Sequence, residues 1–212
     1  MKISEISAGK AAEEEAHLKK IAAALEQDCR PYLSAINRDL NQFALWRGNA
    51  RDSGFQKINV RLDDRRPLTA TRKEHYAMND YFIKKFGQPF RDAMFCTGNS
   101  NEAEEYGNLH CVFPIGNFKF VWSPKMRDSY IDMPSITTNY CRGDGKGTEI
   151  CTTSDTSFGR FLMAPDMFME LSQYQDTDLM GAIKSGHEIM IRCKQAYMIS
   201  IGEYYKVAMM IS

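Results

Sequence analysis

Apolar positions follow helical spacing near the start of the chain and strand-like runs towards its end. In residues 4–28, Leu18, Ile21, Ala22 and Leu25 share one face amid Ala, Glu and Lys, which predicts a long helix. Pro31 interrupts it, and Leu33, Ile36 and Leu40 predict a second helix over 31–42. Phe43-Ala44-Leu45-Trp46 is short and aromatic and predicts a strand ending at Arg47-Gly48. Residues 49–70 look irregular, with Asp63-Asp64-Arg65-Arg66-Pro67 inside them. Thr71-Arg72-Lys73-Glu74 is a capping box for a helix that should turn Tyr76, Phe82 and Phe86 to a core and stop at Gly87. A strand over 93–97 follows, then a short helix opened by Asn99-Ser100-Asn101-Glu102 and closed at Tyr106-Gly107.

Residues 109–115 and 118–122 predict two strands joined by a tight turn, with Pro114 and Gly116 between them. The run 141–149, CRGDGKGTE, predicts a glycine-rich hairpin turn. Short helices are expected over 165–173 and 178–184, and strands over 187–193, 196–201 and 204–211. Helices first, then strands broken by short helices, give an α+β fold with an antiparallel or mixed sheet.

Composition narrows the class. Of 212 residues, 43% are hydrophobic and 25% charged, which fits a packed globular chain and not a disordered one. Lys+Arg and Asp+Glu both number 27, so neither a globally basic nucleic-acid coat nor an acidic tail is indicated. No apolar run reaches the roughly 20 residues that span a bilayer, and the N-terminus is too polar for a secretory segment. A cytoplasmic setting is therefore expected. Cys141 and Cys151 flank the glycine-rich run and could lie close in space, but reduced thiols are expected for all six cysteines.

Several chemistries fail on spacing. Gly143 to Thr148 resembles a phosphate loop, yet Gly147 follows the lysine, position 140 is Tyr, and no helix is expected afterwards. Arg142-Gly143-Asp144 spells an adhesion tripeptide by chance. The cysteines form no CxxC pair, and His75 and Asp80 sit on different helix faces, so no metal is expected. No GxSxG elbow marks a serine triad.

Three short motifs carry more. Arg47 leaves an apolar strand before Gly48, and a guanidinium there needs an anionic partner. Phe95-Cys96-Thr97-Gly98 ends a strand before a capped helix, and Glu188 stands at the mouth of the apolar strand Ile189-Met190-Ile191. In this order, Arg, Ser/Thr and Glu resemble the ADP-ribosyltransferases, particularly the arginine-type branch found among bacterial toxins and phage-encoded modifiers. The middle of the chain, through Tyr106-Gly107 and Phe113-Pro114-Ile115-Gly116, also looks like uncharacterised phage proteins.

The resemblance spans about residues 43–211. It implies a domain over 43–212 with split sheets around a cleft, and an N-terminal helical segment, 1–42, packed on it as a cap. It implies that NAD is a substrate, with Arg47 and Gly48 on its phosphates or ribose, Thr97 in the middle hydroxyl position, and Glu188 as the catalytic carboxylate. Tyr106 is a candidate nicotinamide wall, as are Phe95 and Trp122. The family's middle motif is usually Ser-Thr-Ser, and its arginine-modifying members carry Glu or Gln where this chain has Gly186.

The implied function is mono-ADP-ribosyl transfer, or NAD glycohydrolysis, by a phage-type protein acting on components of the host cytoplasm. The acceptor is left open among a protein side chain, a nucleic acid and water, and no membrane partner is expected. The alternatives are a catalytically degenerate member acting as a phage structural or inhibitory binding protein, and a hydrolase using His187 and Glu188 as acid and base.

Overall fold

The computed structural model describes residues 3–51, 53–63, 65, 70–143, 145–153 and 156–211. Asp64, Arg66, Pro67 and Asp144, which figure in the motifs above, lie outside the described residues. In chain order the elements are α1 (Ile3–Asp28), α2 (Arg30–Ala35), β1 (Trp46–Asn49), β2 (Phe55–Asn59), α3 (Arg72–Phe86), a 3-10 turn (Phe90–Asp92), β3 (Met94–Thr97) and α4 (Ser100–Glu104). Then come β4 (Asn108–Pro114), β5 (Lys119–Trp122), α5 (Ser129–Arg142), α6 (Glu149–Thr153), α7 (Ser157–Met163), α8 (Pro165–Leu171), α9 (Leu179–Ser185), β6 (Glu188–Arg192), β7 (Gln195–Ser200) and α10 (Ile201–Ile211). The class is α+β, and the strand pairs within each unit described below are antiparallel.

The chain folds as two compact units. The first comprises the described parts of Met1–Asn59, Ser100–Phe118 and Cys193–Ser212. Its strands run in the order β2-β7-β4-β1. Leu18, Ile21 and Leu25 of α1 are buried, and α1 packs on α10. The strand expected over 204–211 is instead the helix α10. Tyr204, Val207, Ala208 and Ile211 are its buried positions, an i, i+3, i+4, i+7 set that aromatic and β-branched content obscured. The helix expected over 31–42 stops at Ala35, because Asn37 and Arg38 take left-handed backbone (φ 53° and 60°). The strand expected at Phe43 begins only at Trp46.

Residues 49–70 are not wholly irregular, since β2 pairs Phe55 with Ile199 and Lys57 with Tyr197. Phe55 stacks on Tyr197 at 4.8 Å, and the Lys57 ammonium lies 5.8 Å from the same ring. A lysine stem covering an aromatic ring leaves no clean alternation in the sequence.

The second unit comprises the described parts of Val60–Asn99 and Lys119–Arg192, with strand order β3-β6-β5. Consequently 109–115 and 118–122 are not a hairpin: β4 pairs β1 and β7, whereas β5 pairs β6. The capping box forms as expected, with Thr71 Oγ1 accepting from the Glu74 amide and Glu74 accepting from the Thr71 amide. Gly87 closes α3 in left-handed backbone. Phe82 is fully buried and Phe86 packs against the core, but Tyr76 is 54% exposed. The inward face of α3 reads Glu74, His75, Met78, Asn79, Tyr81 and Phe82. Half of it is polar, which hid it from a hydrophobic pattern.

Residues 141–149 do not turn a hairpin. They include the end of α5 and the start of α6, so a helix does follow the glycine-rich run. Cys141 and Cys151 are joined in a disulfide across it, contrary to the expectation of reduced thiols. Their Cα atoms lie 5.5 Å apart because the turn brings the helix ends together. Cys29, Cys96, Cys111 and Cys193 are free and buried.

Candidate functional site

In the second unit the antiparallel register of β3 and β6 sets Thr97 opposite Glu188 and Phe95 opposite Met190. Directly opposed residues share a sheet face, so Phe95, Thr97, Glu188 and Met190 lie together while Cys96 points away and is buried. Two of the expected residues, Thr97 and Glu188, are thus brought together. The Thr97 hydroxyl donates to the Gly186 carbonyl (2.5 Å) and accepts from the Asn99 amide (3.0 Å). It therefore stitches the turn after β3 to the end of α9.

Packing and backbone conformation fix the two glycines beside these residues. A Cβ at Gly98 would lie 1.7 Å from the Ile183 carbonyl oxygen, so no hydroxyl-bearing residue fits there without moving α9. Gly186 caps α9 at φ 72°, where an acidic side chain would be strained.

Glu188 opens β6, and its amide donates to the Arg127 carbonyl at 2.7 Å. Its side chain is only 15% exposed and lies 3.6 Å from Arg91 Nη1. Burial pushes its carboxyl up to about 7. The Arg91 charge works against that rise, Asp128 adds to it, and the nearby Ser129 hydroxyl and the Arg65 charge oppose it. Glu188 Oε1 and Arg91 Nε are both buried without a hydrogen-bond partner among the described residues.

Arg91 was not legible as a site residue. It sits in the 3-10 turn, where its amide donates to Asn79 Oδ1 (2.8 Å) and its guanidinium donates to Ser129 Oγ. Its guanidinium is 4.9 Å from the centre of the Phe95 ring, and that of Arg65 is 4.2 Å from it. Of the three candidate aromatic walls, Phe95 therefore lies by the carboxylate. Trp122 is buried, donating Nε1–H to the Thr177 carbonyl. The sequence signal for Arg91 was faint: a charged pair, Arg91-Asp92, set within Pro89-Phe90 and Ala93-Met94.

A polar cluster backs this corner. Burial lowers the His75 proton affinity despite its bond to Asp92, whose Oδ1 accepts from the ring Nε2–H at 3.0 Å. Asn79 donates to Asp92 Oδ2 (3.0 Å), and the Arg65 amide to Asp92 Oδ1 (3.2 Å). His187 is held through Nδ1 at 2.8 Å from the Ser123 carbonyl. A separate groove of about 350 Å³, lined by Asp80, Lys84 and Asp166 among others, includes none of these residues.

The first unit holds the other expected residues. Arg47 is half-buried in β1, in register with His110. A Cβ on Gly48 would lie 2.3 Å from the Ala103 carbonyl oxygen and 2.6 Å from the Tyr106 carbonyl carbon, so glycine lets the end of α4 close on β1. Tyr106, just beyond, is 68% exposed. Arg47, Gly48 and Tyr106 thus form one local group.

Among the described residues, no group of His, Cys, Asp and Glu could hold a metal, and no helix is long and apolar enough to cross a membrane. No family model, curated protein or solved structure matches this chain.

Proposed function

We propose that the chain cleaves NAD at the nicotinamide–ribose bond and passes the ADP-ribosyl group to an acceptor or to water, within an ADP-ribosyltransferase-like fold. The supporting observation is the Thr97–Glu188 register, which puts a desolvated carboxylate beside the strand-end hydroxyl. The bond from ribose C1 to the nicotinamide nitrogen breaks with its electron pair leaving on nicotinamide. The acceptor then supplies a lone pair to C1 and loses its proton. Positive charge develops on the ribose between these events, and a fixed carboxylate in a dry setting stabilises it. The Glu188 Oε1, unmet among the described residues, is an acceptor left for a ribose hydroxyl. Arg47 enters through the resemblance, and its part is read from the NAD affinity of Arg47→Ala. A phage source and host components as targets belong to the same proposal.

The test is nicotinamide release from NAD by the purified protein, with and without host-cell lysate, beside Glu188→Gln. The variant should fall about 10²–10³-fold, the usual effect of removing a transition-state partner. Because Glu188 works as the carboxylate, parent activity should climb with pH and level off above about 7. Equal release by parent and variant would overturn the reading. One observation favours the non-enzymatic alternative: the sole hydroxyl of the middle motif is already committed to Gly186 and Asn99. A parent that neither binds NAD nor releases nicotinamide would establish it.

A further inference from the structure

We propose that Arg91, fastened by Ser129, is the positioning residue that orients Glu188 and opposes its neutralisation. The inference rests on the assignment of Glu188 as the reacting carboxylate.

The geometry of Arg91 is over-determined. Its backbone is tied to α3 through Asn79, its guanidinium lies by Phe95 of β3, and Nη1 donates to Ser129 at the start of α5. Its side chain is 9% exposed. A guanidinium is costly to bury, and this one has one serine bond and a carboxylate just beyond hydrogen-bonding distance. Three elements spend their contacts on aiming that charge at Glu188. A purely structural cation would be expected to close its hydrogen bonds, yet Arg91 Nε is unmet among the described residues.

The other charges around Glu188 do not replace it. Asp128, from the cap of α5, repels the carboxylate charge. Arg65 acts in the same direction as Arg91 and more weakly. Tyr174 is buried and its phenol is held protonated. Arg91 is therefore the chief charge opposing the burial that would neutralise Glu188.

The experiment follows the Glu188 carboxyl by carbon NMR titration, assigned with Glu188→Gln, in the parent, Arg91→Gln, Arg91→Lys and Ser129→Ala. The pH profile of nicotinamide release is recorded on the same proteins. Arg91→Gln should raise the proton affinity of Glu188 about tenfold or more, and move the rising limb of the profile to higher pH. Arg91→Lys should recover the charge, placing the titration near the parent's, without recovering the fork that orients the carboxylate. Ser129→Ala should give a smaller rise in the same direction.

An unchanged Glu188 titration in Arg91→Gln overturns the inference. If Arg91→Gln does not fold, Arg91→Met decides, since Ser129 also acts on the carboxylate in its own right, and an unchanged titration in Arg91→Met overturns the inference. Should the parent release no nicotinamide, the proposed function falls while the titration still reports on Arg91.

Discussion

The two units bury different kinds of polar group. In the first, phenols donate to neighbouring oxygens: Tyr32 to the Phe43 carbonyl, Tyr204 to the Leu40 carbonyl and Tyr197 to Asp28. Tyr204 also meets Trp46 edge-on at 5.0 Å. Phenols stay neutral across ordinary pH, so the two bonds to backbone carbonyls fasten the scaffold whatever the proton supply. The second unit buries Glu74, His75, Arg91 and Asp92. Among the described residues both units leave buried polar atoms unmet, on Ser53, Gln56 and Glu203 in the first and on the facing charges Arg91 and Glu188 in the second. Incomplete satisfaction is costly in a resting protein and useful in a reacting one. The contrast separates a corner built for holding from a corner able to respond to charge.

The comparison breaks most visibly at Asp92. Asp92→Ala leaves the His75 ring, the Asn79 amide and the Arg65 backbone amide without their acceptor. A loss of about 3 kcal/mol or more is expected in urea denaturation. A loss below about 1 kcal/mol would mean that the cluster is not what holds this corner.

Glu188→Gln comes next, with the opposite sign. The folded carboxyl binds its proton more tightly than the unfolded chain's, having risen from 4.5 to about 7. Parent stability is therefore full below pH 4.5 and declines between there and about 7, while glutamine does not titrate. The variant should match the parent in acid and exceed it by up to about 3 kcal/mol above pH 7. Thermal melts from pH 4 to 8 check this, and parallel curves would refute it.

The smallest change is Tyr204→Phe in the first unit. Removing one phenol that donates to the Leu40 carbonyl should cost about 1–2 kcal/mol. That cost should not vary between pH 4 and 8, in contrast to Glu188.

What the sequence made legible follows from where each signal resides. The box Thr71–Glu74 and the cap Gly87 are local chemistry, and α3 lies between them. The strands β3 and β6 are short apolar runs with clear ends. By contrast, α5 holds Ile131, Pro134, Ile136, Thr137 and Thr138, poor helix formers. Its start is secured by Asp128, which accepts from the Tyr130 and Ile131 amides, and by Asp132, which accepts from those of Arg127 and Asp128. The edge strand β2 gains its ring contacts only against Tyr197, far along the chain. At the candidate site, Thr97 and Glu188 could be named because each ends or opens an apolar strand. Arg91 and Ser129 could not, since only the folded chain brings them to Glu188.

The close approach at Gly98 bears on how this sequence can change. With the Ile183 carbonyl oxygen 1.7 Å from where a Cβ would stand, single-codon replacements of Gly98 run into backbone. A serine there would need a shift of the α9 segment, and that shift would disturb the Thr97–Gly186 bond. Position 98 is therefore closed to side chains by the backbone that faces it. Substitution is accommodated far more readily at an exposed position such as Tyr106 than at the end of β3.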